Sequence, residues 1–311
     1  MKYAKRALSV SEQLDLLVGR GLSVADRAKA EASLRAISYY RLSAYFIPYE
    51  IQRGATHKFK EGSSFDDIVD LYTFDHKLRI LIFDALERIE TAFRTQLIYH
   101  CSRDRGGWWF EDTTLFYSQD AHIGFLAELD AELSNSKEVF IRHYQEQYGD
   151  PPRPPAWISF EVASLGQLSR LFGNIRPIEP KKLIASYFGL GVPVLESWLE
   201  CISFVRNTCA HHARLWNRTL VKIPKKPELP AFPIPYESGF GRSSARVFTS
   251  LVIINYCLKR IGTLGTFANR INDLLSEYPS VDRAAMGIPD GWISNPFWHT
   301  SDLLIDGKPD E

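Results

Sequence analysis

Apolar residues recur along this chain at intervals of three and four, and no stretch alternates over the length of a strand. The clearest run is 65–100, which holds neither Pro nor Gly from Phe65 through His100. Phe74, Leu78, Leu81, Phe83, Leu86, Ile89, Phe93 and Leu97 make a broad apolar stripe down it, the signature of a long core-facing helix. Asp84 and Arg88 stand four apart, as do Glu90 and Arg94, so each pair can close along the helix surface. Glu87, Glu90 and Arg94 become support residues if that face meets a later, histidine-bearing helix.

The same reading predicts helices on either side. Residues 8–47 divide into two pieces, the first capped by Ser11 and the second by Ser23, with Asp26 three residues on; Pro48 ends them. The tyrosines of SYYRLSAYFIPY pack rings against the next helix, and 51–64 is a loop or short hairpin. One helix is expected over 120–148, with His122 and His143 as surface or boundary residues. GDPPRPPAW is a rigid connector too short to be read as an SH3 ligand. Helix resumes over 157–172, where Gly166 offers a close helix approach or a local break. A short helix over 180–190 closes at Gly189 and Gly191. Pro193 then starts a segment whose apolar face is Leu195, Trp198, Leu199, Ile202 and Val205. Prolines at 224, 227, 230, 233 and 235 break the chain before a last helical stretch over 245–277. The tail, with Asp302, Asp306, Asp310 and Glu311, is a solvated acidic end. The fold class is therefore all-α.

Composition narrows the function. With 311 residues, 45% apolar, the chain can build a sizeable core. Its 37 Lys and Arg balance 37 Asp and Glu, so any polyanion site must be local. The four cysteines, Cys101, Cys201, Cys209 and Cys257, form no CxxC pair, which suits a reducing cytoplasm and buried thiols. Lys2, Lys5 and Arg6 lead into no apolar signal segment, and no apolar run reaches the length of a membrane span. A cytoplasmic protein without a membrane partner is expected.

The chemistry concentrates in RNTCAHHARLWNR, Arg206 to Arg218, directly after the apolar face ending at Val205. Asn207 and His211 stand four apart on one helical face; Arg206 is about 140° from His211 by helical pitch and needs a helix end, a groove or a second subunit to meet it. An imidazole can take the proton from a ribose 2′-hydroxyl, a second can protonate the leaving 5′-oxygen, and a guanidinium fits the scissile phosphate. Such cleavage leaves a 2′,3′-cyclic phosphate and needs neither metal nor cofactor. Arg206, Arg214, Arg218, Lys222, Lys225 and Lys226 face only Glu228 in sequence, a local charge of +5 that the neutral total conceals. Trp216 either stacks on a base or fills the core. Surface polarity, a zinc site using Cys201 or Cys209 with His211 and His212, and a Cys209–histidine nucleophile are the competing readings; the last two lack a full ligand set and an orienting group.

RNTCAHHARLWNR, with YYRLSAYFIPY, FDHKLRILIFDALERIETAFRT and PPAWISFEVASLGQLSRLF, resembles the Abi-like abortive-infection family of AbiD/AbiF type, within the HEPN superfamily. The resemblance covers residues 8–225. It implies a HEPN-type helical bundle with added terminal helices and long irregular loops, residues 1–225 forming the main domain and 226–311 packing on the same body. It further implies an RNA-cleaving homodimer of bacterial phage defence, with an antitoxin protein or non-coding RNA as a further partner. Arg206 and His211 become the catalytic pair with Asn207 as support. His212, Arg214, Asn217, Arg218 and Lys222 hold the phosphate backbone, and Glu90, Arg94 and Glu161 stand behind them. The alternative is a non-catalytic RNA-binding or protein-interaction module.

Overall fold

The computed structural model describes residues 6–51, 57–228, 245–263 and 265–298. Its first helices are α1 (Val10–Gly19), α2 (Arg27–Ile37), α3 (Tyr39–Ser43), α4 (Phe65–Arg105), α5 (Gln119–Asn135) and α6 (Val139–Gln147). There follow α7 (Ala156–Ser159), α8 (Leu165–Asn174), α9 (Glu179–Tyr187), α10 (Val192–Ala210), α11 (Val247–Arg260) and α12 (Phe267–Glu277). Among the described residues β pairing amounts to three isolated bridges, so the fold is all-α.

The chain divides into two compact units. One is Met1–Arg79 with Asp273–Val281; the other is Ile80–Asn272 with Asp282–Glu311. The division runs through α4 and α12, a different partition from one made at residue 225. The prolines at 230, 233 and 235, the acidic residues 302, 306, 310 and 311, and Lys2 and Lys5 lie outside the described residues.

In the first unit, Ser9 rather than Ser11 caps α1. Its hydroxyl accepts from the Glu12 N–H while the Glu12 carboxylate accepts from the Ser9 N–H, a reciprocal capping box. Asp26 caps α2 through the Lys29 N–H. Ser23 is unavailable for that task because its N–H and hydroxyl both donate to the Ser63 carbonyl at 3.0 Å. Leu14, Leu17, Leu34, Leu42, Ile68 and Phe74 form the core. Within it the Arg79 guanidinium pairs with Asp75 one turn earlier on α4, and the Tyr45 hydroxyl donates to the same carboxylate at 2.6 Å.

The second unit is built around α10, which packs on α8, α9 and α11, while α5 packs on α8. Every residue of α11 from Val247 through Lys259 is buried, so this helix is enclosed on all faces. Trp198 on α10 meets Tyr256 on α11 edge-on at 5.1 Å, and Phe93 on α4 meets Phe172 on α8 at 5.5 Å. Each fully buried side chain of this size contributes about 1.5–3 kcal/mol of transfer free energy.

Several predicted elements break where the sequence was read as continuous. The helix expected over 120–148 is interrupted between Asn135 and Val139. That over 157–172 is interrupted because Ser164 starts α8 afresh, boxed by Gln167 three residues on. The last stretch breaks at Gly262, whose φ of 72° closes α11 with the Thr263 N–H donating to the Leu258 carbonyl. Gly166 makes no close helix approach, since a Cβ there would meet only side-chain atoms at 3.7 Å and beyond. His122 is no surface residue: it is fully buried, pairs its Nε2 with the Phe110 carbonyl at 2.7 Å and stacks on Phe116.

No single helix among the described residues is long and apolar enough to cross a membrane. The pair α9–α10, bent by 64°, reaches the length and hydropathy together, but Ile184, Leu195, Trp198, Leu199, Ile202 and Val205 are buried inside the unit.

Candidate functional site

Helix α10 carries the motif to its own C-terminus. Pro193 lies in its first turn, where a missing N–H costs nothing. Leu195, Trp198, Leu199, Ile202 and Val205 anchor one face in the core, which fixes the rotation of the last turn. Arg206 is then half-buried and Asn207 exposed, Thr208 and Cys209 are buried, and His211 is exposed.

The helix ends in a two-bond αL closure. His212 takes φ 54°, its N–H donates to the Cys209 carbonyl at 3.0 Å, and the Ala213 N–H reaches back to Thr208 at 3.0 Å. The position usually belongs to glycine, as Gly262 shows at the end of α11; histidine is among the residues that tolerate it. His211 is the capping residue itself, its N–H donating to the Asn207 carbonyl at 3.0 Å. The two-histidine pattern thus divides: His211 completes the helix on the Asn207 face, while His212 turns the chain.

Arg206 faces α4. Its Nε lies 3.5 Å from Glu90 Oε2, its guanidinium sits over the Phe83 ring at 5.7 Å, and its Nη1 is 3.4 Å from Asn207 Oδ1. The other oxygen of Glu90 accepts from Arg94 Nη2 at 3.0 Å; that same nitrogen donates to the Ala163 carbonyl at 3.1 Å, and Glu161 lies 3.9 Å from Arg94 Nη1. Arg206, Glu90, Arg94 and Glu161 therefore form one connected group. At an effective dielectric constant of about 20, a pair at the Arg206–Glu90 distance attracts by roughly 4–5 kcal/mol before desolvation is subtracted. A cleft of about 180 Å³ opens here, lined by Phe83, Glu87, Glu90, Thr91, Arg94 and Arg206. It is mixed in charge and His211 is not part of its lining.

The other basic residues are spread more widely. Lys222 pairs with Glu200 at 3.1 Å on the exposed side of α10. Arg218 donates to the Arg214 carbonyl at 2.9 Å and lies over Phe204. Asn217, φ 55°, accepts from Arg246 Nη1 at 3.2 Å, which ties the post-motif turn to the start of α11. Glu90 and Glu200 lie beside this segment in space, and counting them lowers its formal charge from +5 to +3. Trp216 is 1% exposed and donates to the Asp282 carbonyl, so its ring fills the core and is closed to a base.

The cysteine thiols are closed off from solvent. All four are buried, and burial pushes the Cys101 and Cys201 thiols up to about 12 and Cys257 further in the same direction. Among the described residues no group of three or more His, Cys, Asp or Glu is arranged to hold a metal ion.

Phe83 was assigned to the core stripe on periodicity, yet it is 40% exposed and lies under Arg206. Thr91, in the cleft lining, and Arg246, on Asn217, join these residues only through packing. The available signal was the strip Phe83, Glu87, Glu90, Thr91 and Arg94, which repeats at helical spacing on one side of α4.

A family profile described as "Abi-like protein" matches residues 32–217, well over half the chain, ending one residue short of the end of the Arg206–Arg218 motif. The chain belongs to the Abi-like family. No curated protein and no solved structure matches it in the corresponding comparisons. The family match thus covers α3 through α10 whole, including both helices that meet at Arg206, and leaves α1, α11 and α12 outside.

Proposed function

We propose that this Abi-like protein is a metal-independent endoribonuclease of bacterial phage defence, of AbiD/AbiF type within the HEPN superfamily, acting in the cytoplasm as a homodimer. The observation that carries the reading is the end of α10, where an exposed imidazole at His211 shares a helical face with Asn207 and the Arg206 guanidinium lies 3.4 Å from the Asn207 amide oxygen. In this mechanism neutral His211 removes the ribose 2′-hydroxyl proton, the 2′-oxygen attacks the adjacent phosphorus and the 5′-oxygen leaves with a proton from a second imidazole. His211 of a second copy would supply that proton. Arg206 stabilises the charge gathering on the phosphate oxygens. Arg214, Arg218 and Lys222 contribute local positive charge for the RNA backbone, His212 and Asn217 offer it further polar contacts, and an antitoxin protein or non-coding RNA restrains the enzyme.

The test is RNA cleavage in EDTA with wild-type and variant proteins side by side. Wild type should release 2′,3′-cyclic phosphate ends. H211A should lose about 10²–10⁴-fold and R206A about 10²–10³-fold in kcat with the fold intact. Intact RNA after incubation with folded, dimeric wild-type protein would sink the proposal.

A second reading has its own observation. Arg206 is engaged by Glu90 and lines a small cleft of mixed charge, as a residue in a binding or assembly surface would. That reading is a non-catalytic RNA-binding or protein-interaction module. It predicts RNA binding that survives H211A unchanged, with no cleavage by either protein.

A further inference from the structure

We propose that Glu90, anchored by Arg94, is the positioning residue for Arg206, holding the guanidinium from behind so that its outer edge stays open for a phosphate. The inference rests on the endoribonuclease reading for its consequence, though not for its geometry.

One carboxylate is shared between two arginines. Glu90 Oε1 takes Arg94 Nη2 at 3.0 Å, and Oε2 faces Arg206 Nε at 3.5 Å. Arg94 is fixed in turn by the Ala163 carbonyl at 3.1 Å, on the turn that leads into α8. The chain Ala163–Arg94–Glu90–Arg206 therefore links the start of α8, the middle of α4 and the end of α10. Glu90 and Arg94 are 12% and 15% exposed, Arg206 29%, so water screens the inner links less than the outer one.

The Arg206 contacts are one-sided. Phe83 lies under the guanidinium face and Glu90 at the Nε corner. The one hydrogen bond made by this side chain is the long Nη1 contact to Asn207 at 3.4 Å; Nε is buried and makes none, and Nη2 meets no acceptor among the described residues. A guanidinium binds phosphate best through two parallel N–H groups. A carboxylate opposite the Nη edge would compete with a phosphate for that fork. A carboxylate at Nε instead restricts the side chain's rotamers and leaves the Nη2 donors to the ligand. Asn207 and Phe83 complete a three-sided cradle.

Three properties distinguish a positioning role from a purely structural one. Removing Glu90 takes a negative charge away from an RNA-facing arginine, so RNA affinity should hold or rise while turnover falls. E90A should therefore lower kcat about 10–100-fold with KM unchanged or reduced, and E90D should recover part of the loss. A cradle for a guanidinium should also accept a free one. Millimolar guanidinium should restore activity to R206A but not to R206A/E90A. Finally, the Arg206 Nε–H signal, assigned by its loss in R206K, should exchange with solvent faster in E90Q than in wild type.

Equal guanidinium rescue of R206A and R206A/E90A, or an E90A enzyme within twofold of wild-type kcat, overturns the positioning role. If the wild type cleaves no RNA, the endoribonuclease reading fails by itself, and the exchange measurement still decides the cradle: an unchanged Nε–H rate in E90Q sinks it, and a faster rate supports it.

Discussion

Helix α4 carries two arginine–carboxylate pairs of identical spacing in two different settings. Asp75 and Arg79 lie in the first unit at 0% and 4% exposure; Glu90 and Arg94 lie in the second at 12% and 15%. The first pair is closed off. Tyr45 adds a 2.6 Å hydrogen bond to Asp75, its hydroxyl also accepts from Arg79 Nη1, and all three side chains are buried. Burial, with the Asp75 carboxylate next to it, pushes the Tyr45 hydroxyl far above its ordinary range, so it stays a donor throughout the accessible pH range. The second pair is left incomplete. Among the described residues Arg94 Nε has no hydrogen-bond partner, and the second oxygen of Glu90 reaches Arg206 at the edge of a cleft. Equal spacing along the helix therefore fixes that two groups pair, while the elements packed over them fix whether the pair is sealed or keeps spare capacity. A sealed pair constrains the fold, and one with spare capacity can orient a third group.

The largest effect is expected from breaking the sealed pair one-sidedly. R79A leaves Asp75 charged, buried and short of a partner, and should cost about 3–5 kcal/mol. In urea the midpoint should fall while the slope stays constant. The triple replacement Y45F/D75L/R79M should recover most of that loss, since apolar groups of similar size need no partner and the Tyr45 hydroxyl is not left unpaired. A loss below about 1 kcal/mol for R79A would mean that the pair is solvated and the contrast with Glu90–Arg94 is false.

Next comes a buried cation that meets no carboxylate among the described residues. Lys259 on α11 is 7% exposed; its Nζ donates to the Phe297 carbonyl and lies 4.9 Å from the Phe297 ring. Burial pulls the ammonium down from 10.5 to about 8. The unfolded chain then binds more protons than the folded one between those values, so the penalty is fully present below about pH 8 and fades as pH rises toward 10.5. Wild type should gain stability relative to K259M across that window. A pH-independent difference between the two proteins would show that Lys259 keeps its ordinary affinity for protons.

E90A should weaken the fold less than R79A, by about 1–2 kcal/mol, because the carboxylate it removes is partly solvated and Arg94 keeps the Ala163 carbonyl. Its catalytic loss should exceed its stability loss at working temperature. The reverse ranking would make Glu90 a structural residue like Asp75.

These contrasts also mark what could be read in the sequence. Periodicity alone located α4, because an uninterrupted stripe over 65–100 leaves few other folds open. The motif's place at a helix end followed from the apolar face through Val205 and the polar residues after it. Glu90 and Arg94 were paired correctly by spacing, but Arg206 lies 116 positions beyond Glu90 and only packing brings them together. Asp75 was passed over because its partner Arg79 interrupts the apolar stripe as an ordinary surface charge would. Phe83 was misplaced for the complementary reason: an aromatic on an apolar period fits the core equally well, and its 40% exposure is set by what α10 leaves uncovered. Residue spacing constrains the local helix and is silent about which neighbour arrives.

The smallest effect belongs to a third pair on the same helix, and it sharpens the comparison from the other side. Asp84 and Arg88 have the same spacing and a 3.0 Å contact, at 48% and 31% exposure. Asp84 also meets Arg270 at 3.0 Å, and Arg88 donates to the Asp84 carboxylate, the Asp84 carbonyl and the Thr263 carbonyl, three acceptors against two for Arg94. If partner number decided worth, R88A would cost more than R94A. If burial decides it, water screens each contact and replaces the lost one, and R88A should cost no more than about 0.5 kcal/mol, falling further in 1 M salt. R94A should cost more than R88A and respond less to salt, because its contacts are better shielded. Matched urea melts of R88A and R94A at low and high salt separate the two rules, and a larger, salt-resistant loss in R88A would mean that partner number outranks burial on this helix.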